Sequence, residues 1–482
     1  MPVSSQPPAW VADAIFYQIF PDRFARSGRA VMPSKLQPWD DPPTFHGYKG
    51  GDLWGVIERL DWLIELGVNA IYFNPIFHSA SNHRYHTYDY LRVDPLLGGD
   101  AAFDELIEEC HARGLRVILD GVFNHASRGF FQFHDILENG PESAWLDWFN
   151  VQSFPVRAYE SSGVPNYQAW WGMPALPEFN TDNPAVREFL MGVGEHWVRK
   201  GIDGWRLDVP LEVSTPGFWE EFRTRVRAIN PDTYIVAEIW DEATDWIARG
   251  DRFDGTMNYQ LTSAIIAFAA GRRVVDQVVE GANYRVRPPR DAGAFADSLD
   301  HLLRIYPAAA QRSNLNLLDS HDTPRLLTVA GGDRDSVVLS ALLLFGFPGA
   351  PCIYYGDEIG LPGSKDPDCR RTFPWNHPGT WDRTLLETYR RLISLRKAHP
   401  AFRGVGYQRL WPPPGTGGML YASLREADGE RLVLAANAGD DPATATLPAD
   451  GTPTRLWGGG ELTNAEGLRL VLPPRTGGVW RL

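Results

Sequence analysis

The chain is poor in cysteine: Cys110, Cys352 and Cys369 are the only three in 482 residues, and no two form a CxxC pair. That excludes a disulfide framework and gives no sign of a zinc site, leaving reduced core or loop thiols. Long apolar runs are also missing, so no membrane span is expected. Positive charge is in deficit, with 46 Lys and Arg against 60 Asp and Glu and a formal net charge of -14. No basic stripe reverses that balance locally, which argues against nucleic acid as a partner and for a neutral one. Residues 1–10 lack the positive and apolar regions of a secretory signal, so a cytoplasmic protein is expected.

What the chain does have is aromatic side chains, 12% of its residues, many of them in loop-like stretches. Most such rings serve packing and loop anchoring, but flat apolar faces also stack on sugar rings. Hydrophobic residues at 44% and charged residues at 22% are ordinary for a globular protein with a large core.

Short β-branched or aromatic runs alternate with amphipathic stretches, starting at Ile15-Phe16-Tyr17-Gln18-Ile19-Phe20. Apolar positions 53, 56, 57, 60, 63 and 64 share one helical face behind the N-cap candidate Asp52, and Gly67 ends that helix before a strand over 68–73. Further helices are expected over 102–112, 185–199 and 218–229, each followed by a strand, at 116–119, 204–207 and 234–237. Later strands near 255–258, 314–318 and 351–355 bring the count to eight, and a helix near 385–397 follows. The fold expected is α/β: a (β/α)8 TIM barrel over 1–125 and 184–400, with an inserted subdomain after strand three over 126–183. A C-terminal β-sandwich over 401–482 completes it.

In such a barrel, side chains at the C-terminal strand ends converge on one site. Here those ends carry Asp120-Gly121-Val122-Phe123-Asn124-His125, Arg206-Leu207-Asp208, Glu238-Ile239-Trp240 and Asp319-Ser320-His321-Asp322. A lone carboxylate there is as well explained by an N-cap or an ion pair, but a set of them is not, because gathering like charges costs stability. Arg206 and Asp208, two apart on a strand, share a face, so the guanidinium is expected to hold Asp208 anionic, as a nucleophile requires. Glu238, flanked by Ala237, Ile239 and Trp240, sits in the more apolar setting and is the better acid. Retaining glycoside cleavage needs that pairing, one carboxylate to attack and one carboxyl to protonate the leaving oxygen, about 5–5.5 Å apart.

In order and spacing, these four segments resemble the four motifs of the α-amylase family, glycoside hydrolase family 13. The resemblance implies Asp208 as nucleophile, Glu238 as general acid/base and Asp322 as the third carboxylate. It also implies that Arg206, His125 and His321 contact the bound sugar and that Tyr85 stacks on it. Ser320-His321-Asp322-Thr323-Pro324-Arg325, Phe253-Asp254-Gly255-Thr256-Met257-Asn258-Tyr259 and Met173-Pro174-Ala175-Leu176-Pro177-Glu178-Phe179-Asn180 are similar to the cyclomaltodextrinase, neopullulanase and maltogenic amylase group. That group adds Glu212 near the leaving-group side and Asp366 with Arg370 at the far end of the glycone; Trp240 is a further substrate-binding candidate.

Two features depart from the group. Its members carry an extra N-terminal β-domain that helps them dimerise, whereas this sequence starts close to the first barrel strand, so dimerisation by that route is not expected and no oligomeric state is read. The family's calcium site near the first strand meets Asp22-Arg23-Phe24-Ala25-Arg26-Ser27-Gly28-Arg29, mainly arginines where oxygen ligands are needed. Asn124 is left as a candidate ligand for a different calcium at the inserted subdomain. The chemistry itself requires no cofactor and no metal.

The activity implied is hydrolysis of α-1,4 bonds in cyclodextrins, maltooligosaccharides or pullulan. Alternatives are a 4-α-glucanotransferase, an α-glucosidase, a trehalose-forming isomerase, or a non-catalytic binding protein that keeps the fold.

Overall fold

Runs such as Phe16-Tyr17-Gln18-Ile19 and Ala70-Ile71-Tyr72-Phe73 are too apolar to face water on either side, the pattern of parallel strands covered by helices. In the computed structural model, which describes residues 5–160, 163–281, 285–464 and 467–482, they are the first two of eight parallel strands. These are β1 (Phe16–Ile19), β2 (Ala70–Phe73), β3 (Arg116–Gly121), β4 (Gly204–Leu207), β5 (Tyr234–Ala237), β6 (Gly255–Thr256), β7 (Leu315–Asn316) and β8 (Ala350–Tyr354). They lie side by side in the order β6-β5-β4-β3-β2-β1-β8-β7. A parallel bridge between Met257 and Leu315 joins the two ends and makes the sheet a (β/α)8 barrel.

The period-2 alternation of each strand divides the core. Phe16, Tyr72, Ile118, Val236, Met257 and Leu315 fill the barrel, while Tyr17, Ile71, Val117 and Ile235 face the helices outside. β6 and β7 are only two residues each, shorter than the sequence pattern suggests. Side-chain amides take over part of the ladder there: Thr256 N–H donates to Asn314 Oδ1 at 3.0 Å, and Asn258 Nδ2 to Asn316 Oδ1 at 3.0 Å.

The helices Gly99–Ala112, Pro184–Arg199, Phe218–Ile229 and Arg383–Ala398 stand where the apolar spacing puts them. The single helix expected over 53–64 is instead two, Leu53–Ile57 and Leu60–Leu66. Asp52 does cap the first, accepting from Gly55 N–H at 2.8 Å. The break falls at Arg59, whose guanidinium lies 4.5 Å over the ring of Trp375.

Between β3 and the helix Pro184–Arg199 the chain leaves the barrel pattern. It forms the helix Phe131–Asn139 and isolated antiparallel bridges Phe149↔Phe179, Val151↔Tyr167 and Ala169↔Pro177. After the barrel come β9 (Gly406–Trp411), β10 (Leu420–Ala427), β11 (Glu430–Asn437), β12 (Ala443–Leu447), β13 (Thr454–Gly458), β14 (Glu461–Asn464), β15 (Leu468–Leu472) and β16 (Thr476–Arg481). A five-stranded sheet, β9-β10-β11-β16-β13, packs on a three-stranded one, β12-β15-β14, around Leu424, Val433, Leu447, Leu470 and Trp480. This is a β-sandwich. It presses close on the barrel: a Cβ on Gly346 would lie 2.0 Å from Leu434 Cδ1, and one on Gly477 2.3 Å from Leu342 Cδ2. All three cysteines are buried and free. Among the described residues no helix is long and apolar enough to cross a membrane.

Candidate active site

Arg206 sits on β4 with its side chain fully buried among three carboxylates that arrive from the ends of three neighbouring strands. Its Nη1 donates to Asp120 Oδ1 at 2.7 Å and to Asp208 Oδ1 at 2.9 Å, and its Nη2 lies 2.9 Å from Glu238 Oε1. Leu207 and Ala237 are register partners on β4 and β5, so Asp208 and Glu238 stand one step further along adjacent strands. Glu238 N–H donates to Leu207 O at 3.0 Å, continuing the ladder. Val209 N–H donates to Glu238 Oε2 at 3.1 Å and Trp240 Nε1–H to Glu238 Oε1 at 3.2 Å, so both oxygens are held. The Trp240 ring is itself fixed by stacking on Tyr259 at 3.7 Å.

The opposite wall is a chain of neutral groups. Gln18 Nε2 lies 3.0 Å from His321 Nδ1 and donates to Asn74 Oδ1 at 3.1 Å. With an amide donor facing Nδ1, the imidazole proton belongs on Nε2, which is 2.7 Å from Tyr85 Oη. Tyr85 O–H donates onward to Asp120 Oδ2 at 2.8 Å, joined there by Tyr72 O–H at 2.9 Å. The Tyr85 and His321 rings stack with planes 4° apart. Asp322 lies at the rim, 3.1 Å from His321 Nε2 and 3.1 Å from Arg370 Nη2, and Arg370 Nη1 reaches Asp366 at 3.1 Å.

Burial pushes the Asp208 carboxyl well above its ordinary range, with Arg206 pulling against it and Glu238 and Asp120 adding to the push. Burial likewise raises Asp120, to about 6, again against Arg206. Three carboxyls thus share the guanidinium that the sequence sets beside Asp208, and Arg206 opposes the push on Asp208 and Asp120 alike. Burial lowers His125 to about 3 and moves His321 down as well, so both imidazoles are neutral hydrogen-bonding groups.

Of the residues singled out from the sequence, Asp208, Glu238, Arg206, Tyr85, His321, Asp322, Arg370, Asp366 and Trp240 are linked by these contacts. His125 lies just beyond β3, with its ring stacked on Trp170 at 5.2 Å. Glu212 is exposed on the short turn Pro210–Glu212 that follows Val209, near enough to Glu178 of the inserted segment for their charges to repel. Asn124 Nδ2 is 3.5 Å from His125 Nδ1. Gln18, Tyr72 and Asn74, which carry the neutral wall, were not foreseen; they lie at or just past the ends of β1 and β2 and bear no charge to mark them.

The whole arrangement has counterparts. The model of the α-amylase catalytic domain matches residues 18–404. A cyclomaltodextrinase from a Bacillus species is 44% identical over 444 residues, which is 92% of this chain and 75% of that one. Among solved structures, the native form of a debranching enzyme from Nostoc punctiforme is 50% identical with a TM-score of 0.92, and each chain covers 100% of the other. A cyclic α-maltosyl-(1→6)-maltose hydrolase from Arthrobacter globiformis is 38% identical with a TM-score of 0.87, over 99% of this chain and 100% of that one. With the barrel, the strand-end carboxylates and a family match across most of its length, this chain belongs to the α-amylase family of glycosidases.

Proposed function

We propose that this protein is a retaining hydrolase of α-1,4-glucosidic bonds in cyclomaltodextrins, short maltooligosaccharides or pullulan, with Asp208 as nucleophile and Glu238 as general acid/base. The observation that carries the reading is the single guanidinium of Arg206, which holds Asp208 with one nitrogen and Glu238 with another, each at 2.9 Å. Retaining enzymes hold their two carboxyls about 5–5.5 Å apart, and side chains from neighbouring strands about 4.8 Å apart can supply that spacing.

The ionised Asp208 attacks the anomeric carbon as Glu238 gives its proton to the departing glucosidic oxygen, leaving a glucosyl ester on Asp208. Glu238, now a carboxylate, takes a proton from water as that water attacks the same carbon and releases Asp208. Asp322 and the neutral His321 and His125 bind sugar hydroxyls that move as the ring flattens. Arg206 keeps its charge throughout and offsets the negative charge that passes between the two carboxyls.

A second reading concerns linkage. The likeness to a debranching enzyme and to a hydrolase named for an α-(1→6)-linked substrate supports α-1,6 bonds as additional targets of the same carboxylates. The buried, unpaired thiols support a reducing compartment such as the cytoplasm.

A mechanism without calcium is supported by what fills the loop after β1. Asp22 accepts from Arg23 Nε at 2.8 Å and from Lys49 N–H at 2.8 Å, and Lys49 Nζ donates to Pro38 O and Asp41 O at 2.6 Å each. The chain's own cations already hold the oxygens a hard divalent ion would need, and those residues do not fit calcium.

Product sizing on β-cyclodextrin, maltotriose, pullulan and panose tests the proposal. Linear sugars with one new reducing end per bond cleaved support hydrolysis, and cleavage of panose at its α-1,6 link supports the second reading. Trehalose or mainly longer transfer products would overturn the hydrolase assignment.

A further inference from the structure

Trp171 is out of place by every structural criterion. It is 72% exposed, the largest apolar side chain so open among the described residues. Its backbone is left-handed, with φ 49 and ψ 28, a region that bulky L residues enter only at a cost. A glycine next to it, Gly172, has φ 68 and would have served the turn alone. The loop is not loose. Trp170 N–H donates to Leu176 O at 3.0 Å, Gly172 N–H to Ala169 O at 2.9 Å, and Ala169 pairs with Pro177.

What the strained turn achieves is a stack. The Trp171 ring lies on Trp170 at 4.6 Å with planes 12° apart, and Trp170 lies on His125 at 5.2 Å with planes 22° apart. Three flat rings thus run outward from His125, which follows β3, and the last turns a bare face to solvent. Two nitrogens on the inner rings, His125 Nε2 and Trp170 Nε1, are buried without a hydrogen-bond partner among the described residues, so this wall is polar where it is deep and apolar where it is open.

We infer that Trp171 is a sugar platform: its exposed face takes one glucosyl ring of an α-glucan chain, two ring spacings from His125, and makes the enzyme favour chains long enough to reach it. The inference rests on the proposed α-glucan activity and adds to it a determinant of chain length. The apolar face of a glucose ring matches a flat indole, and stacking tolerates either linkage because it reads the ring face and not the bond. The strain at residue 171 is then the cost of presenting that face in line with the two rings behind it.

The test compares kcat/KM on maltohexaose with kcat/KM on p-nitrophenyl α-maltoside, for wild type, Trp171→Ala and Trp171→Phe. The expected result is that Trp171→Ala lowers the ratio of the two about tenfold, through KM for the long substrate, and that Trp171→Phe restores most of it. An unchanged ratio in Trp171→Ala would overturn the inference, as would an equal loss in both variants. Calorimetric titration of maltohexaose into Asp208→Asn, with and without Trp171→Ala, separates this failure from failure of the proposed function. A roughly tenfold weaker affinity in the double variant supports the platform even without turnover, and equal affinities refute it whatever the enzyme cleaves.

Discussion

Val209 follows the proposed nucleophile and adopts φ 34 and ψ 52, a left-handed conformation that a β-branched residue resists. The twist has a visible purpose: it turns the Val209 N–H to Glu238 Oε2 at 3.1 Å, so one residue ends β4 and also orients the proposed acid. Glycine enters this region freely, and relief of about 1–3 kcal/mol of strain outweighs the roughly 0.5–1 kcal/mol that glycine loses in chain entropy. Val209→Gly is therefore expected to melt no lower than wild type while kcat falls several-fold, because the donor that fixes Glu238 becomes mobile. Equal kcat in the two proteins would show that the strain serves no catalytic end. Nothing in the sequence marked Val209, since its strain exists only once Asp208 and Glu238 are placed on adjacent strands. Asp208 and Glu238 were legible because each stands at a strand end in a recognisable segment, and Asp322 because of its segment, although β7 stops at Asn316; Gln18, Tyr72 and Asn74 were not, because their role depends on neighbours from distant parts of the chain.

The loops after β7 and β8 are tied together by groups that touch no substrate. Arg325 donates to Asp357 Oδ1 at 3.0 Å, to Tyr355 O at 2.8 Å and to Cys369 O at 2.9 Å, while Leu326 N–H donates to Asp319 Oδ2 at 2.6 Å. These contacts fix the segments that carry His321, Asp322 and Arg370. Beside them Glu358 bonds with Tyr17 O–H at 2.8 Å and Gly356 N–H at 2.9 Å, and burial pushes its carboxyl up to about 7. The unfolded chain releases this proton near pH 4.3 and the folded one near 7, so the folded state binds more protons in between. Stability from this group is complete below about pH 4.3 and is lost as pH rises through 7, by up to about 4 kcal/mol. Glu358→Gln, which keeps an acceptor for Gly356 and offers a donor to Tyr17, is expected to flatten the fall in Tm between pH 5 and pH 8. An unchanged slope would assign that fall to other groups. At this scale the sequence was a good guide to element type and order and a poor guide to length. The two-residue β6 and β7 and the break at Arg59 are accompanied by contacts made across the fold, through the amides of Asn258, Asn314 and Asn316 and the ring of Trp375, which local spacing does not show.

Across the whole molecule, the sandwich and the barrel are joined by arginines that donate to main-chain carbonyls. Arg475, between β15 and β16, reaches Ala438 O at 2.5 Å in its own domain, and Ala269 O at 2.8 Å, Asp333 at 3.1 Å and Ser336 Oγ at 2.6 Å on the barrel side. Arg475→Ala leaves these acceptors without their donor, at about 1–3 kcal/mol, so Tm is expected to fall while kcat on maltotriose stays as in wild type. A matching loss of kcat would mean that the sandwich shapes the site directly. The short alternating strands expected from residue 401 announced a sandwich, whose first strand starts at Gly406 after the short helix Pro400–Arg403, but Gly346 and Gly477, which let it approach the barrel helix Arg334–Gly346, read in the sequence as ordinary punctuation. The central claim, that Asp208 forms the covalent intermediate at the pocket where the barrel's strand ends meet, is tested most directly by trapping that intermediate. The protein is treated with 5-fluoro-α-glucosyl fluoride, quenched in acid, digested and mapped by mass spectrometry. One hexosyl adduct on the peptide containing Asp208 is predicted; an adduct on Glu238 or Asp322, or turnover with no adduct at any carboxylate, would contradict the account.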